Sequence, residues 1–235
     1  MEKHNVVSPD EWLTARRELL AKEKEFTHLR DELSAQRRAL PWERVTKRYV
    51  FDTPQGPRSL SDLFAGRSQL IVYHFMFHPS WNEGCPSCSF WADNFKGIIV
   101  HLRHRDVTLV AVSKARLEQI EAFKKRMGWD FTWASSFAND FNRDLHVSIT
   151  PEEMERKQVF YNYRIGTFPC EEAHGISVFY KNDRGEIFHT YSCYSRGLDM
   201  MNVAYHYLDL VPKGRDEDAL SFSQSWVRHH DKYDD

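Results

Sequence analysis

Apolar runs that alternate with helical patterns in the middle of the chain restrict the fold more than any other feature. Residues 69–77 form a nearly continuous apolar and aromatic run, which is typical of a strand buried on both faces. Val107–Ser113 is a second such run, and residues 90–103 and 117–127 carry apolar side chains at helical spacing. The order strand, helix, strand, helix predicts a parallel βαβ unit with a right-handed crossover, so we expect an α/β fold.

A pair of cysteines stands between the first strand and the first helix of this unit. The tetrapeptide Cys85-Pro86-Ser87-Cys88 follows Gly84, which permits a sharp turn, and proline is favoured in the first turn of a helix. Free backbone N–H groups and the positive end of a helix stabilise a thiolate there. We therefore predict that Cys85 is the attacking thiol and that Cys88, one turn further on, resolves the mixed disulfide.

A single C-x-x-C pair is also compatible with half of a zinc site or with two structural cysteines. A structural zinc site usually has a second pair, but Cys170 and Cys193 lie 23 residues apart and belong to no such pair. A C-x-x-C pair in a βαβ context is typical of redox chemistry, and the main interpretation includes no metal and no other cofactor. We interpret Cys193 as structural and Cys170 as a candidate additional resolving thiol.

The residues around the pair resemble a known family. The run YHFMFHPSWNEGCPSCSFWADNF, residues 73–95, is similar to the signature of the thioredoxin-like family called domain of unknown function 899. The similarity covers nearly the whole chain, from DEWLTARRELLAKEKEFTHLRDELS near the start to GLDMMNVAYHYLDLVPKGRDE near the end. It implies a thioredoxin-like fold, with a central mixed sheet flanked by helices and a long N-terminal amphipathic helix. It also implies a dithiol–disulfide oxidoreductase.

A more distant resemblance helps to define the site. Residues 59–77 are similar to the opening of peroxiredoxin-type folds, but Asn82 stands where peroxiredoxins have threonine or serine before the peroxidatic cysteine, which argues against a peroxidase. Thioredoxins have a cis-proline before the third core strand, and this chain has His174 and Gly175 there. From these positions we expect four substrate-binding residues, Trp81, Pro86, His174 and Gly175.

Histidines support an alternative function for the same segment. The fold resemblance places His78 and His174 near Cys85, where an imidazolium would favour the thiolate. Thiolates together with imidazoles also suit Cu(I) or zinc, and the layout resembles copper-handling members of the thioredoxin superfamily. The alternative is therefore a copper or zinc protein with the ligands Cys85, Cys88, His174 and His78.

Other polar residues receive simpler interpretations. Glu83 and Asp93 flank the pair and are candidate proton acceptors for its second thiol. His229 and His230 lie in the polar tail and are interpreted as solvated bystanders. The tail is expected to dock loosely through two aromatic side chains, Phe222 and Trp226.

A long amphipathic helix is predicted at the N-terminus. Residues 8–11 have the pattern of a capping box with proline in the first turn, and Pro41 ends the helical pattern. An apolar stripe repeats every seven residues through Trp12, Leu19, Phe26, Leu33 and Leu40. The stripe is thin, which favours packing on a globular body, and the alternative is a homodimer through this helix. We divide the chain into a helical extension (1–41), a thioredoxin-like domain (42–212) and a polar C-terminal tail (213–235).

Composition excludes several classes of function. Lys and Arg total 32 and Asp and Glu total 34, and the formal net charge of -2 argues against a nucleic-acid-binding protein. No run approaches the ~18 apolar residues of a membrane span, and the first ten residues are too polar for a secretory signal. We therefore expect a cytoplasmic protein without membrane contact. Its expected partners are a small-molecule or protein disulfide and a thiol reductant.

Overall fold

A computed structural model describes residues 4–234, and its contacts divide the chain into two units, Met1–Pro41 and Trp42–Asp235. The first unit contains the long helix α1 (Pro9–Arg38). The Ser8 hydroxyl accepts a hydrogen bond from the backbone N–H of Glu11, and the Glu11 carboxylate accepts one from the backbone N–H of Ser8. The predicted capping box is therefore present. The five side chains of the apolar stripe are 44% to 65% exposed.

The second unit contains the remaining elements of the described residues. Its strands are β1 (Glu43–Arg44), β2 (Val50–Phe51), β3 (Arg58–Ser59), β4 (Gln69–His74), β5 (Val107–Ser113), β6 (Trp133–Ser135), β7 (Val159–Tyr161), β8 (Arg164–Gly166), β9 (Gly175–Lys181) and β10 (Ile187–Tyr194). Its α-helices are α2 (Leu60–Leu63), α3 (Pro86–Ala92), α4 (Phe95–Arg103), α5 (Leu117–Arg126), α6 (Phe141–Asp144), α7 (Pro151–Glu155) and α8 (Val203–Leu208). Ser195–Met201 and His230–Lys232 form 3₁₀ segments.

The largest sheet has six strands in the order β1-β10-β9-β4-β5-β6. β4, β5 and β6 are parallel, as the predicted βαβ unit requires, and β9 pairs antiparallel with β4. β10 and β1 continue the antiparallel half of the sheet. The expectation of an α/β fold with a central mixed sheet and a long N-terminal helix is confirmed.

Helices cover both faces of this sheet. Side chains of the central strands alternate between two apolar clusters, one on each face. Leu70 and Val72 of β4 point into a cluster that includes α2, and Tyr73 and the following Phe75 point into a cluster that includes α3, α4 and α5. The continuous apolar pattern of residues 69–77 is explained by this burial on both faces. No helix within residues 4–234 combines the length and apolarity needed to cross a bilayer.

Three segments of the domain are built from short elements. The helix expected over 90–103 is divided into α3 and α4, because the Asn94 side chain donates to the carbonyls of Phe90 and Trp91 and so caps the end of α3. The stretch 148–174 contains α7 and the hairpin β7–β8. The 3₁₀ segment Ser195–Met201 precedes α8.

Candidate active site

The cysteine pair lies where the chain passes from β4 to α3. Cys85 is the residue that caps α3, with an extended backbone (φ -58°, ψ 127°), and Pro86 is the first helical residue. The backbone N–H of Cys85 donates to the carbonyl of Met76 at 3.1 Å, which holds the loop against the end of the strand. The carbonyl of Cys85 accepts from the N–H of Ser89 at 3.0 Å and so begins the helix. The sequence Gly84-Cys85-Pro86 therefore places Cys85 at the start of a helix, as predicted.

Cys85 is half-buried, and its surroundings favour the thiolate. The hydrogen bond from the Cys88 thiol, followed by those from the backbone N–H groups of Cys88 and Ser87, lowers the pKa of Cys85 below its usual value, against the opposing effect of burial. These donors all belong to the first turn of α3 or to the second cysteine. They favour the thiolate, which is the nucleophilic form of a thiol.

Cys88 has the opposite environment. Its side chain is 2% exposed, and its Sγ accepts a hydrogen bond of 3.4 Å from the backbone N–H of Met76. Burial raises the pKa of Cys88 well above its usual value, and the neighbouring Cys85 raises it further. The hydroxyl of the buried Tyr73 donates to the Cys88 carbonyl at 3.3 Å. Cys85 is therefore the thiol that ionises first.

The two candidate histidines have other partners. The Nδ1 atom of His78 accepts from the backbone N–H of Ser80 at 3.2 Å and lies 2.7 Å from its hydroxyl. Burial lowers the pKa of His174, and its ring lies 5.9 Å from that of Trp91. His174 is therefore neutral near pH 7 and supplies no imidazolium to Cys85. Within residues 4–234, no three His, Cys, Asp or Glu side chains are grouped so that they could hold a metal ion.

The remaining predicted substrate contacts differ in accessibility. Pro86 is exposed beside the half-buried Cys85. Trp81 lines an open groove of about 480 Å³ together with Gln119 and Phe123 of α5. Gly175 begins β9 against the ring of Tyr194, and a Cβ there would lie 2.6 Å from the Tyr194 Cδ1.

The two other cysteines are thiols in separate environments. Cys193 lies in β10 and is 7% exposed. The Cys170 thiol donates to the carbonyl of Glu172 at 3.3 Å. Burial raises the pKa of Cys170 to about 11, and the charge of Cys85 contributes to this rise. Cys170 is therefore close enough to the pair to interact with it electrostatically, but it is a weak nucleophile in this state.

Glu83 and Asp93 are held by other residues. The Glu83 carboxylate pairs with Arg126 and with Lys232, at 2.8 Å in both cases. The Asp93 carboxylate accepts from Trp129 at 2.8 Å and lies 2.7 Å from the Nδ1 atom of His230. Both carboxylates thus connect the ends of the cysteine segment to other parts of the domain, and neither is available as a simple proton acceptor for the second thiol.

Sequence reasoning missed His229. It was expected to be a solvated bystander, but its side chain is 1% exposed and its Nε2 atom lies 2.8 Å from the carbonyl of Gly84, directly before Cys85. The tail is held by this residue, by the buried Val227 and by the half-buried Trp226, whereas Phe222 is 63% exposed. No sequence pattern links residues so far apart, and the only local signal is a pair of adjacent histidines, His229 and His230, in a polar tail.

Comparison with protein families identifies the family of this chain. A family model described as "Bacterial protein of unknown function (DUF899)" matches residues 1–233, and the chain belongs to this family. The strand order β5-β4-β9-β10, in which a parallel pair adjoins an antiparallel pair, agrees with the thioredoxin-like fold that the resemblance implied. No curated protein matches the sequence.

Several solved structures are similar to part of this chain at low sequence identity. Peroxidoxin BcpB from Mycobacterium tuberculosis has a TM-score of 0.47 at 12% identity, over 69% of this chain and 93% of that chain. A peroxiredoxin Q from Xanthomonas campestris has a TM-score of 0.45 at 16% identity, over 67% and 90%. A putative thiol:disulfide interchange protein DsbE from Chlorobium tepidum has a TM-score of 0.39 at 13% identity, over 70% and 97%.

Proposed function

We propose that this protein is a dithiol–disulfide oxidoreductase in which Cys85 attacks the substrate and Cys88 resolves the intermediate. The observation that carries the proposal is the difference between the two thiols. Hydrogen bonds lower the pKa of the half-buried Cys85, whereas burial raises the pKa of Cys88. One thiol of such a pair is prepared for attack, and the other is shielded until a mixed disulfide has formed.

The proposed reaction has two steps. The Cys85 thiolate attacks a disulfide R–S–S–R′, so that a Cys85–S–S–R bond forms and R′–S⁻ leaves, taking up a proton from water to become R′–SH. The Cys88 sulfur then attacks Cys85, losing its proton, and the second product leaves as R–SH. The substrate gains two electrons and two protons, and the pair becomes a disulfide that an external thiol must reduce.

The timing of the second step follows from what raises the pKa of Cys88. Part of the rise in the Cys88 pKa comes from the hydrogen bond to Cys85 and from its negative charge. Both contributions disappear when Cys85 is bonded to the substrate. Cys88 therefore becomes easier to ionise only after the mixed disulfide exists, which is when its attack is required.

The surroundings support a small or aromatic disulfide as the substrate. The groove beside the loop that precedes Cys85 has the rings of Trp81 and Phe123 in its lining. The proposal includes a cellular thiol as the reductant and a cytoplasmic location.

The proposal is tested with Cys85→Ser and Cys88→Ser variants in a background that lacks the other two thiols. We expect Cys85→Ser to abolish reduction of an aromatic disulfide and Cys88→Ser to accumulate a mixed disulfide that mass spectrometry detects. A redox titration of the unmodified pair should give a reversible two-electron transition between about -120 and -270 mV. Full activity in both variants would contradict the proposal. So would turnover of hydrogen peroxide without any disulfide exchange, which would indicate a peroxidase.

A further inference from the structure

Three of the four consecutive residues His229 to Lys232 contact the cysteine segment, and together they reach both of its ends. His229 and Lys232 bind the residues immediately before Cys85, and His230 binds Asp93, which follows α3. We call residues 229–232 the C-terminal strap. A segment that is distant in sequence thus holds the loop and the helix end between which both cysteines lie.

The hydrogen bonds of His229 define its tautomer. The Nε2 atom lies 2.8 Å from the Gly84 carbonyl, which can only accept, so Nε2 carries the proton. The Nδ1 atom lies 3.1 Å from the Nη2 atom of Arg126, which can only donate, so Nδ1 is the acceptor. Both nitrogen atoms of the ring therefore have partners, and the Glu83 carboxylate lies 3.6 Å from Nδ1.

The bond to Gly84 acts on the peptide group that leads into Cys85. The carbonyl oxygen of this peptide group belongs to Gly84 and accepts from His229. The N–H of the same group belongs to Cys85 and donates to the carbonyl of Met76 at 3.1 Å. The orientation of this peptide group is thus fixed at both ends. It determines where the Cys85 sulfur lies relative to the N–H groups of Ser87 and Cys88 that stabilise its thiolate.

Outer contacts fix the strap itself. Arg126 in α5 binds Asp231 through two hydrogen bonds, at 2.7 and 2.9 Å, and also pairs with Glu83. The His229 ring packs on Phe123, with ring centroids 5.2 Å apart. Arg126 therefore connects α5, the strap and the cysteine loop, and it orients the imidazole through Nδ1.

We propose that His229 is a positioning residue for Cys85, which it serves by holding the Gly84 carbonyl and so fixing the direction of the Gly84–Cys85 peptide group. This inference rests on the proposed function only in taking Cys85 as the reactive thiol. Arg126 and Asp231 act through His229 by fixing its ring and the strap that carries it.

The test compares two substitutions of His229 in the Cys170→Ser, Cys193→Ser background. His229→Phe keeps an aromatic ring against Phe123 but removes both hydrogen bonds. His229→Gln retains an amide N–H for Gly84 and an amide oxygen for Arg126. The readout is the pH midpoint of Cys85 alkylation by iodoacetamide, mapped to the Cys85 peptide by mass spectrometry, with the melting temperature as a control for folding.

We expect His229→Phe to raise the alkylation midpoint by about half to one pH unit, which is the size of effect that one hydrogen bond has on a pKa. We expect His229→Gln to keep the midpoint of the unsubstituted protein. A lower melting temperature with an unchanged midpoint would show a purely structural role and overturn the proposal. Equal shifts in both variants would show that the effect does not depend on the hydrogen bond to Gly84, which the glutamine side chain can still donate, and would also overturn it.

A second variant covers the case in which His229→Phe does not fold. Asp231→Asn weakens the outer contact with Arg126 and keeps the imidazole, so we expect a smaller rise in the midpoint, and no rise would contradict the proposal. The measurement needs no turnover. If the alkylation midpoint does not change in the variants while the redox titration shows a reversible Cys85–Cys88 disulfide, only the role of His229 is overturned. If the midpoint shifts but the titration shows no reversible disulfide, only the proposed oxidoreductase function is overturned.

Discussion

Glu172 is a buried acid whose proton should control the stability of the domain between pH 5 and 8. Its side chain is 1% exposed and accepts hydrogen bonds from the Ser148 hydroxyl at 2.9 and 3.0 Å. Burial raises the pKa of Glu172 to about 8, although hydrogen bonds from Ser148 and Asn142 and the charge of Lys114 act against the rise. The ammonium group of Lys114 gives only this partial compensation. Its own hydrogen bonds go to the backbone carbonyls of Ser136, Phe137 and Asn139.

The sign of the effect follows from the raised pKa. In the unfolded chain the carboxyl loses its proton near pH 4.5, and in the folded domain it does so near pH 8. Between these values the folded state holds the extra proton, so stability falls as the pH rises. One pKa unit corresponds to about 1.4 kcal/mol, so the whole shift is equivalent to about 5 kcal/mol, an upper bound for the loss.

Glu172→Gln isolates this contribution, because glutamine has the shape of the protonated acid but does not titrate. We expect the two proteins to have similar free energies of unfolding near pH 5. By pH 9 the variant should be more stable by several kcal/mol, up to the bound of about 5 kcal/mol. Urea denaturation at one-unit steps from pH 5 to pH 9 measures the difference, which cancels the titration of all other groups. A difference that does not change with pH, or a variant that is less stable at pH 9, would refute the reasoning.

Two further predictions follow from the structure of the site. Gly84→Ala places a Cβ 2.6 Å from the Phe75 Cε1 and 2.8 Å from the Phe123 Cε1, so we expect urea denaturation to show a loss of about 1–3 kcal/mol. Gly97→Ala in α4 should not lose stability, because beyond its chain neighbours and the helix backbone no atom lies within 4 Å of the new Cβ, and equal losses at both positions would contradict the packing argument. Elemental analysis of protein purified without an affinity metal should show well under one copper or zinc per chain, since no group of suitable ligands forms within residues 4–234. Near-stoichiometric metal that is lost in His174→Ala would instead support the metal-binding alternative.

Features that depend on neighbouring residues could be predicted from the sequence. The capping box of α1, the buried strands β4 and β5, and the position of Cys85 at the start of a helix all depend on residues close together in the chain. The same signals were present but overlooked at α7. Thr150 and Glu153 form the capping box that Ser8 and Glu11 form in α1, again with proline between them.

Features that depend on distant contacts could not be predicted. His229 and Gly84 are 145 residues apart, and nothing in a tail rich in charged residues distinguishes a buried histidine from a solvated one. Glu83 and Asp93 were correctly placed at the ends of the cysteine segment, but their partners come from α5, from Trp129 and from the strap. The chemical role of a polar residue was therefore misjudged wherever a remote partner determined it.

The contrast between the two cysteines has a consequence for the direction of electron transfer. The donors from Ser87 and Cys88 that stabilise the Cys85 thiolate have no anion to stabilise once a disulfide has formed. Cys88 adds no opposing effect, because burial keeps it as a neutral thiol in the reduced pair. Above the pKa of Cys85, these contacts stabilise the reduced form over the disulfide, which raises the reduction potential and makes the pair more oxidising. If His229 maintains the alignment of those donors, its loss should move the potential towards that of a more reducing pair, in the direction opposite to its effect on the alkylation midpoint.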